Sequence, residues 1–407
     1  MNSHGGVAIT GLGIVSAAGN TVDAFWERIV AAKTAITPVG EGDPNGLSPR
    51  LLLAQVDTTG IPEELDGHGA MRADRFAQFA VIAARRAMAD SGLDLGTVDR
   101  DRIPVILGSA TGGQLTQDIA YRQLYRDGAK RLPPLTVPKL MVNASVSHVS
   151  MDLGLRGESY AVASACASGT HAIGQAMRLI RSGEADVAVA GGSDATLALG
   201  AIKAWEALRV MSDDGCRPFC STRNGMNLGE GGAVLILENL SHAQKRGARI
   251  YATIAGYGAT ADAGDLTSPS SHHTARAMAQ ALASAGLTPE DVGHINAHGT
   301  GTRQNDQTEA QAIMRVFGNF SPNIAVTSTK AVIGHCLGAA GAMEAVATAL
   351  TLYHGLIPPT AGSQSVDPEI HLDVVLQNAR SKVVKAALSN SFAFGGLNAS
   401  LAFRHAP

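Results

Sequence analysis

Cys166 stands in the run Val162-Ala-Ser-Ala-Cys166-Ala-Ser-Gly-Thr-His171-Ala-Ile-Gly-Gln-Ala-Met, framed by small residues between an apolar stretch and an amphipathic segment. A nucleophile at a strand-to-helix turn needs this setting. Small neighbours admit a substrate carbonyl, and the free amides of a helix's first turn favour thiolate over thiol. The segment reads equally well as a buried, inert cysteine. Three further clusters could do chemistry with it. Asn296-Ala-His298-Gly-Thr300-Gly-Thr302 puts a histidine where a strand breaks into a small-residue loop, although most histidines are surface or satisfied core residues. Ser328-Thr-Lys330-Ala-Val-Ile-Gly-His335-Cys-Leu-Gly-Ala-Ala-Gly-Ala-Met-Glu344 sets Lys330 and His335 around a glycine turn, with Glu344 on a helix beyond. This could be a helix cap with a solvated lysine, but charges seldom sit among so many Gly and Ala unless paired. Asn390-Ser-Phe392-Ala-Phe394-Gly395-Gly396-Leu-Asn398 offers consecutive glycines behind an aromatic. That is either a turn aiming an N–H at a developing oxyanion or an ordinary hairpin.

The elements that must position these residues follow an α/β pattern, with short apolar runs alternating with Ala-rich helical segments. In the first part, strands are expected at Val7–Val15, Ile103–Leu107, Val187–Ala190 and Ala233–Glu238. Helices are expected over Arg75–Asp90 and from Cys166 to about Arg181. The second part repeats the plan, with strands at Tyr251–Gly258 and Gly293–Ala297, then Ala325-Val-Thr-Ser-Thr-Lys330 and a Gly-rich turn, and helices at Thr274–Gly286 and about Gly341–Tyr353. Reactive residues, a Gly/Ala turn, a helix and an apolar strand thus occur around Cys166 and again around His335. The expectation is a duplicated unit, 1–250 carrying the cysteine and 251–407 carrying the two histidines and the lysine. Asp57–Asp66 and Thr267–His273 are linker candidates, neither long enough to separate independent domains.

Composition narrows the function classes. A net charge of −3, with 16% charged and 45% hydrophobic residues, argues against a basic face for nucleic acid or membrane surfaces. Forty-six glycines and 4% aromatics suit closely packed α/β layers over 407 residues. Four cysteines are too few for a disulfide framework, and Cys216-Arg-Pro-Phe-Cys220 is an incomplete ligand set, so no metal is expected. Gly11-Leu-Gly13 lacks the third glycine of a dinucleotide fingerprint, and no Walker-type loop is present. The opening Met1-Asn-Ser-His-Gly-Gly has no basic n-region, and no apolar stretch reaches spanning length. A cytoplasmic protein with reduced thiols is expected.

Together, Ala163-Ser-Ala-Cys166-Ala-Ser-Gly, Asn296-Ala-His298-Gly-Thr-Gly-Thr, Ser328-Thr-Lys330…Gly334-His335 and Asn390-Ser-Phe-Ala-Phe394-Gly-Gly-Leu-Asn resemble the β-ketoacyl-[acyl-carrier-protein] synthases, more narrowly the type II elongating enzymes. Gly191-Gly-Ser-Asp…Trp205-Glu-Ala-Leu-Arg209 and Cys216-Arg-Pro-Phe with Gly229-Glu-Gly further resemble nodulation-factor, polyene and polyketide ketosynthases. The resemblance implies a thiolase-like α-β-α-β-α fold of two similar halves, usually dimeric. It implies decarboxylative condensation of acyl- with malonyl-carrier protein, with substrates on phosphopantetheine and no separate cofactor. Cys166 would be the nucleophile, and Cys166 and Phe394 N–H groups the oxyanion hole. Phe392 and Phe394 would gate, and His298 and His335 would hold the malonyl thioester oxygen. Lys330 would organise His335, with Glu344 its counter-ion. Thr300 and Thr302 resemble pantetheine-binding positions, Thr111 and Trp205 acyl-pocket positions, and Arg72, Arg75 and Arg209 could meet the acidic carrier protein.

The pattern departs from the family at Ala393, where a glycine is usual, and at Thr111, where a bulkier apolar residue is common. Rival readings are a thiolase-type acyl-CoA condensing enzyme, which typically pairs its cysteine with one His and an Asn or adds a second catalytic Cys, and a cysteine hydrolase. An inactive chain-length-factor subunit, which would lack the nucleophile, is the non-enzymatic rival. The partner subunit could be a second copy or such a factor.

Overall fold

The computed structural model describes residues 6–43, 47–65 and 69–406. Residues 1–5 and 407, at the ends of the two expected halves, and Asp66, which closes an expected linker, lie outside that set. Eleven strands form one continuous ladder. They are β1 (Val7–Ser16), β2 (Val105–Gly108), β3 (Ser159–Val162), β4 (Val187–Asp194), β5 (Gly231–Asn239), β6 (Ala252–Ala261), β7 (Val292–Asn296), β8 (Ala325–Thr327), β9 (Asp373–Val374), β10 (Ala386–Ala393) and β11 (Leu397–His405). The spatial order is β9-β8-β7-β10-β11-β6-β1-β5-β4-β2-β3.

Read outward from the centre, the two sides repeat. On one side β1 pairs antiparallel with β5, β5 antiparallel with β4, and β4, β2 and β3 run parallel. On the other, β6, β11, β10, β7 and β8 show the same sequence of directions, with β9 added at the edge. The two sides join where Val7 to Ile9 pair with Ile254 to Ala252.

Helices complete five layers. Helix α1 (Arg75–Ser91) covers β1, β5 and β4 on one outer face, and α4 (Ser271–Ala285) covers β6 and β11 on the other. Between the sheets lie α2 (Ser168–Ser182) and α7 (Ala340–His354), packed on each other and on strands of both halves. In α7 every residue from Ala340 to Leu352 is buried, so its one carboxylate, Glu344, must find a partner inside. Three more helices bear on the site: α3 (Leu199–Ala207), α5 (Arg303–Phe317) and the single turn α6 (Lys330–Ile333). Gly92, Gly183, Gly286 and Gly355 terminate four of the helices in the left-handed conformation that a side chain resists.

The Gly11-Leu-Gly13 pair has a packing role. A Cβ at Gly11 would lie 2.1 Å from the Ala87 carbonyl oxygen and one at Gly13 1.9 Å from that of Ala83, so β1 rests directly on α1. Gly256 and Gly258 do the same for β6 against Ala281 and Ala277 of α4, each at 2.1 Å. The same device in both halves lets Ala-rich helices approach the sheet at backbone distance.

Candidate active site

Cys166 lies between the end of β3 and the start of α2, 6% exposed. The turn is strained, because Ala165 takes φ +48° without being glycine. Serines hold it. The Ser164 N–H donates to Ser168 Oγ at 2.9 Å, and the Ser168 hydroxyl donates to the Ala165 carbonyl at 2.6 Å. No side chain caps α2, and the turn's own carbonyls take its leading amides, Ala167 N–H donating to Ser164 and Ser168 N–H to Ala165, each at 3.1 Å. The helix end alone does not make the resting group a thiolate. Burial pushes the thiol up to about 12, with the Lys330 charge opposing and Asp194 and Glu344 adding to the rise.

His335 follows α6 and Gly334, whose φ of +67° turns the chain back toward β5. Its Nε2 lies 3.1 Å from Cys166 Sγ. The Leu337 N–H donates to His335 Nδ1 at 3.3 Å, so a neutral ring carries its proton on Nε2, facing the sulfur. His298 leaves the end of β7 and meets His335 edge to face, with ring centroids 5.5 Å apart, and Phe392 at 5.9 Å. Burial first, then Lys330, holds both imidazoles well below the usual histidine range.

Lys330 is wholly buried, paired with Glu344, and its Nζ lies 3.3 Å from His298 Nδ1. The expectation that it organises His335 is therefore corrected to His298. An ammonium group only donates, so His298 Nδ1 accepts and its Nε2 carries the proton.

Two carboxylates missed in the sequence shape the His298 loop. Glu309, buried on α5, accepts the N–H groups of His298 at 2.9 Å and Gly299 at 2.8 Å, and Asn390 Nδ2 at 3.2 Å. Asp306, one turn earlier, accepts Phe219 N–H at 2.8 Å and Gly301 N–H at 3.2 Å. Acids three residues apart on the helix opened by Thr302 share one face, the signal that could have exposed them.

A cavity of about 430 Å³ joins these parts, lined by Cys166, His298, His335, Phe392, Phe394 and Trp205. Thr300 and Thr302 line it too, their hydroxyls 2.9 Å apart. Gly395 and Gly396, both at positive φ, make the turn between β10 and β11, so the C-terminal motif is a hairpin that also borders the cavity. Phe394 is 39% exposed and stacks on Trp205, centroids 5.9 Å apart and planes at 21°. The Gly395 N–H donates to the Leu266 carbonyl at 2.7 Å, tying the turn to the residue just before the Thr267–His273 stretch. Ala393 ends β10 opposite Leu397 outside the left-handed region, so alanine fits there.

Two expected placements fail. Thr111 is exposed on this chain and does not line the cavity. Arg75 is committed to the buried Glu230 and the Val56 carbonyl, holding α1 to the loop before β5 rather than standing free. Arg209 lines the cavity and is exposed, while Arg72 is exposed and does not line it. Cys216 and Cys220 are free thiols, and no group of three or more His, Cys, Asp or Glu among the described residues could hold a metal ion. No described helix is long and apolar enough to cross a membrane.

Comparison with known proteins matches residues 5–243 to the family described as Beta-ketoacyl synthase, N-terminal domain, and 251–364 to Beta-ketoacyl synthase, C-terminal domain. The chain is 44% identical over 399 residues to Nodulation protein E of Rhizobium sp. (strain N33), covering 98% of each. It is 40% identical over 411 residues to 3-oxoacyl-[acyl-carrier-protein] synthase 2 of Staphylococcus aureus (strain COL), covering 99% of each. Among solved structures, the ishigamide ketosynthase/chain length factor superposes with TM-score 0.93 at 31% identity, over 99% of this chain and 100% of that one.

Proposed function

Since the chain belongs to the β-ketoacyl synthase family and is a β-ketoacyl-[acyl-carrier-protein] synthase, an acyltransferase that forms carbon–carbon bonds, we propose a division of labour among its residues. Cys166 takes the acyl group from the pantetheine thioester of an acyl carrier protein. Its thiol proton leaves on the departing pantetheine sulfur, so the transfer is proton-neutral and needs no standing thiolate. The N–H groups of Cys166 and Phe394 hold the tetrahedral oxyanion. Malonyl carrier protein then enters, and the Nε2–H groups of His298 and His335 donate to its thioester oxygen. Carbon dioxide departs, the enolate attacks the acyl-Cys166 carbonyl, and the sulfur leaves and takes a proton from water. The product is a β-ketoacyl chain two carbons longer. Lys330 fixes the His298 tautomer and Glu344 neutralises it. Thr300 and Thr302 hold the pantetheine arm, while Phe392, Phe394 and Trp205 border its passage.

The observation that carries this reading is two neutral imidazoles, each with Nδ1 occupied by a donor, beside one sulfur. Both Nε2–H groups are left to donate, which suits a developing enolate and disfavours a general base. It also sets the chain apart from a thiolase-type site with one histidine and from an inactive partner subunit without a nucleophile.

The exposed arginines at the cavity, Arg209 and Arg303, suit an acidic carrier protein, and exposed Arg72 could add to that contact. A second ketosynthase-fold subunit, a copy or a chain-length-factor-like chain, suits the face around edge strand β3. Met151, on the helix Ala144–Leu153 that packs on β3, is 68% exposed there. Four free thiols suit the cytoplasm. Incubation with acyl- and malonyl-loaded carrier protein tests the reading. Carbon dioxide and β-ketoacyl product in equal amounts support it, and release without condensation in the presence of acyl-enzyme contradicts it.

A further inference from the structure

Asp194 ends β4 wholly buried, and its hydrogen-bond partners are all neutral. The Ser109 hydroxyl donates to it at 2.6 Å and the Ala110 N–H at 2.9 Å, both from the loop after β2. The third donor comes from the other half of the molecule: the Gly338 N–H, at 2.6 Å. One residue earlier, the Leu337 N–H donates to His335 Nδ1. Adjacent amides of a single turn thus go one to the carboxylate and one to the imidazole. That turn is strained, since Leu337 holds φ +47°, and strain of this kind persists only when the surroundings over-determine it.

There is no slack around the turn. A Cβ at Gly338 would lie 2.5 Å from Ala110 N and 2.6 Å from Asp194 Oδ2. The Gly338 carbonyl oxygen in turn sits where a Cβ on Gly169, in the first turn of the Cys166 helix, would be 2.9 Å away. The turn bearing His335 is therefore wedged between the ends of β2 and β4 and the base of α2. A buried carboxylate without a countercharge is costly, but its two oxygens accept all three donors, Ser109 on one and Ala110 and Gly338 on the other, which an amide with a single acceptor oxygen cannot do. Its charge also reaches Cys166, whose other charged neighbours are Lys330 and Glu344, with neutral His335 in contact.

Granting Cys166 and His335 the roles given above, we propose that Asp194 is a positioning residue for the condensation. Its carboxylate hooks the His335 turn of one half onto the strand ends of the other and thereby sets the sulfur-to-imidazole distance. Asp194→Asn and Gly338→Ala, each in the full chain, separate its charge from its fit. In both, kcat for condensation falls about 10²-fold, the scale of an ångström's misplacement, while KM for malonyl carrier protein holds. Only Asp194→Asn, which removes a negative charge near the sulfur, displaces the pH dependence of Cys166 alkylation by iodoacetamide to lower pH. Wild-type kcat in Asp194→Asn overturns the proposal, as does lost kcat with an unmoved alkylation curve, the mark of a merely structural residue. Should Asp194→Asn fail to fold, Ser109→Ala removes one neutral donor and keeps the carboxylate. It should lower kcat in the same sense, and an unchanged kcat overturns the proposal. The underlying roles fail separately, in Cys166→Ala, if that variant still forms acyl-enzyme.

Discussion

Lys330 Nζ lies 3.3 Å from His298 Nδ1 with Glu344 against it, and none of its hydrogen bonds among the described residues reaches His335. The two histidines are thus fixed by different means, one by a buried cation and one by the backbone amide of Leu337. Lys330→Met should impair malonyl decarboxylation, the step proposed for His298, more than acyl transfer to Cys166. It should also cost stability, on the order of 3–5 kcal/mol, because Glu344 is left buried without its partner. Lys330→Met/Glu344→Leu should cost less than the single change. Paired urea titrations of the variants, with carbon dioxide release, check both statements.

In the proposed roles each imidazole donates separately, so His298→Ala and His335→Ala should each lose about 10²- to 10³-fold in decarboxylation rate. Release of labelled carbon dioxide from malonyl carrier protein alone isolates that step. An unimpaired His298 variant would transfer its role elsewhere.

Acidification provides a signed test. Both imidazoles are held below the ordinary histidine range, by burial and then by Lys330. They therefore stay neutral as pH falls, and decarboxylation should lose nothing to their protonation from pH 8 down to roughly 6. Stability behaves differently. The unfolded chain binds protons at these histidines near pH ~6.5 while the folded chain does not, so their contribution is full above that pH and declines below it. Urea midpoints of the native chain and of His298→Gln, compared across that window, should converge on the acid side.

The Cys166 thiol, pushed up to about 12 by burial, should alkylate faster with rising pH, about tenfold per unit across roughly pH 7 to 10, without a plateau. A plateau near neutral pH would mean that α2 and Lys330 outweigh burial after all.

Trp205 and Phe394 stack at 5.9 Å beside the passage to the sulfur. Trp205→Ala should change the acyl-loading rate by about two- to tenfold, the span of an aromatic pair, with Trp205→Phe close to native. Stopped-flow loading from acyl carrier protein reads it.

The sequence exposes Cys166, His298, Lys330, His335 and Glu344 because reactive or charged residues stand out in runs of Gly and Ala. What it hides is held by the backbone. Asp194 meets Gly338 across the two halves, and Glu309 serves amides of a loop it does not belong to. Spacing on the helix opened by Thr302 hints at Glu309, whereas nothing in the sequence near Asp194 marks its partner in advance. Arg75 misled for the opposite reason: its helix start reads as exposed, but buried Glu230 reaches it from 155 residues away. The duplicated strand order was legible in outline, through apolar periodicity repeated on either side of residue 250. Parts of the fold without such periodicity were not legible, notably the half-exposed edge strand β3.

The most direct test of the central claim is the intact mass of the protein after incubation with acyl carrier protein. The native chain should gain one acyl group, mapped to Cys166 by peptide analysis, and Cys166→Ala should gain none. An acylated Cys166→Ala, or a native chain that never carries the acyl mass while making product, would contradict it.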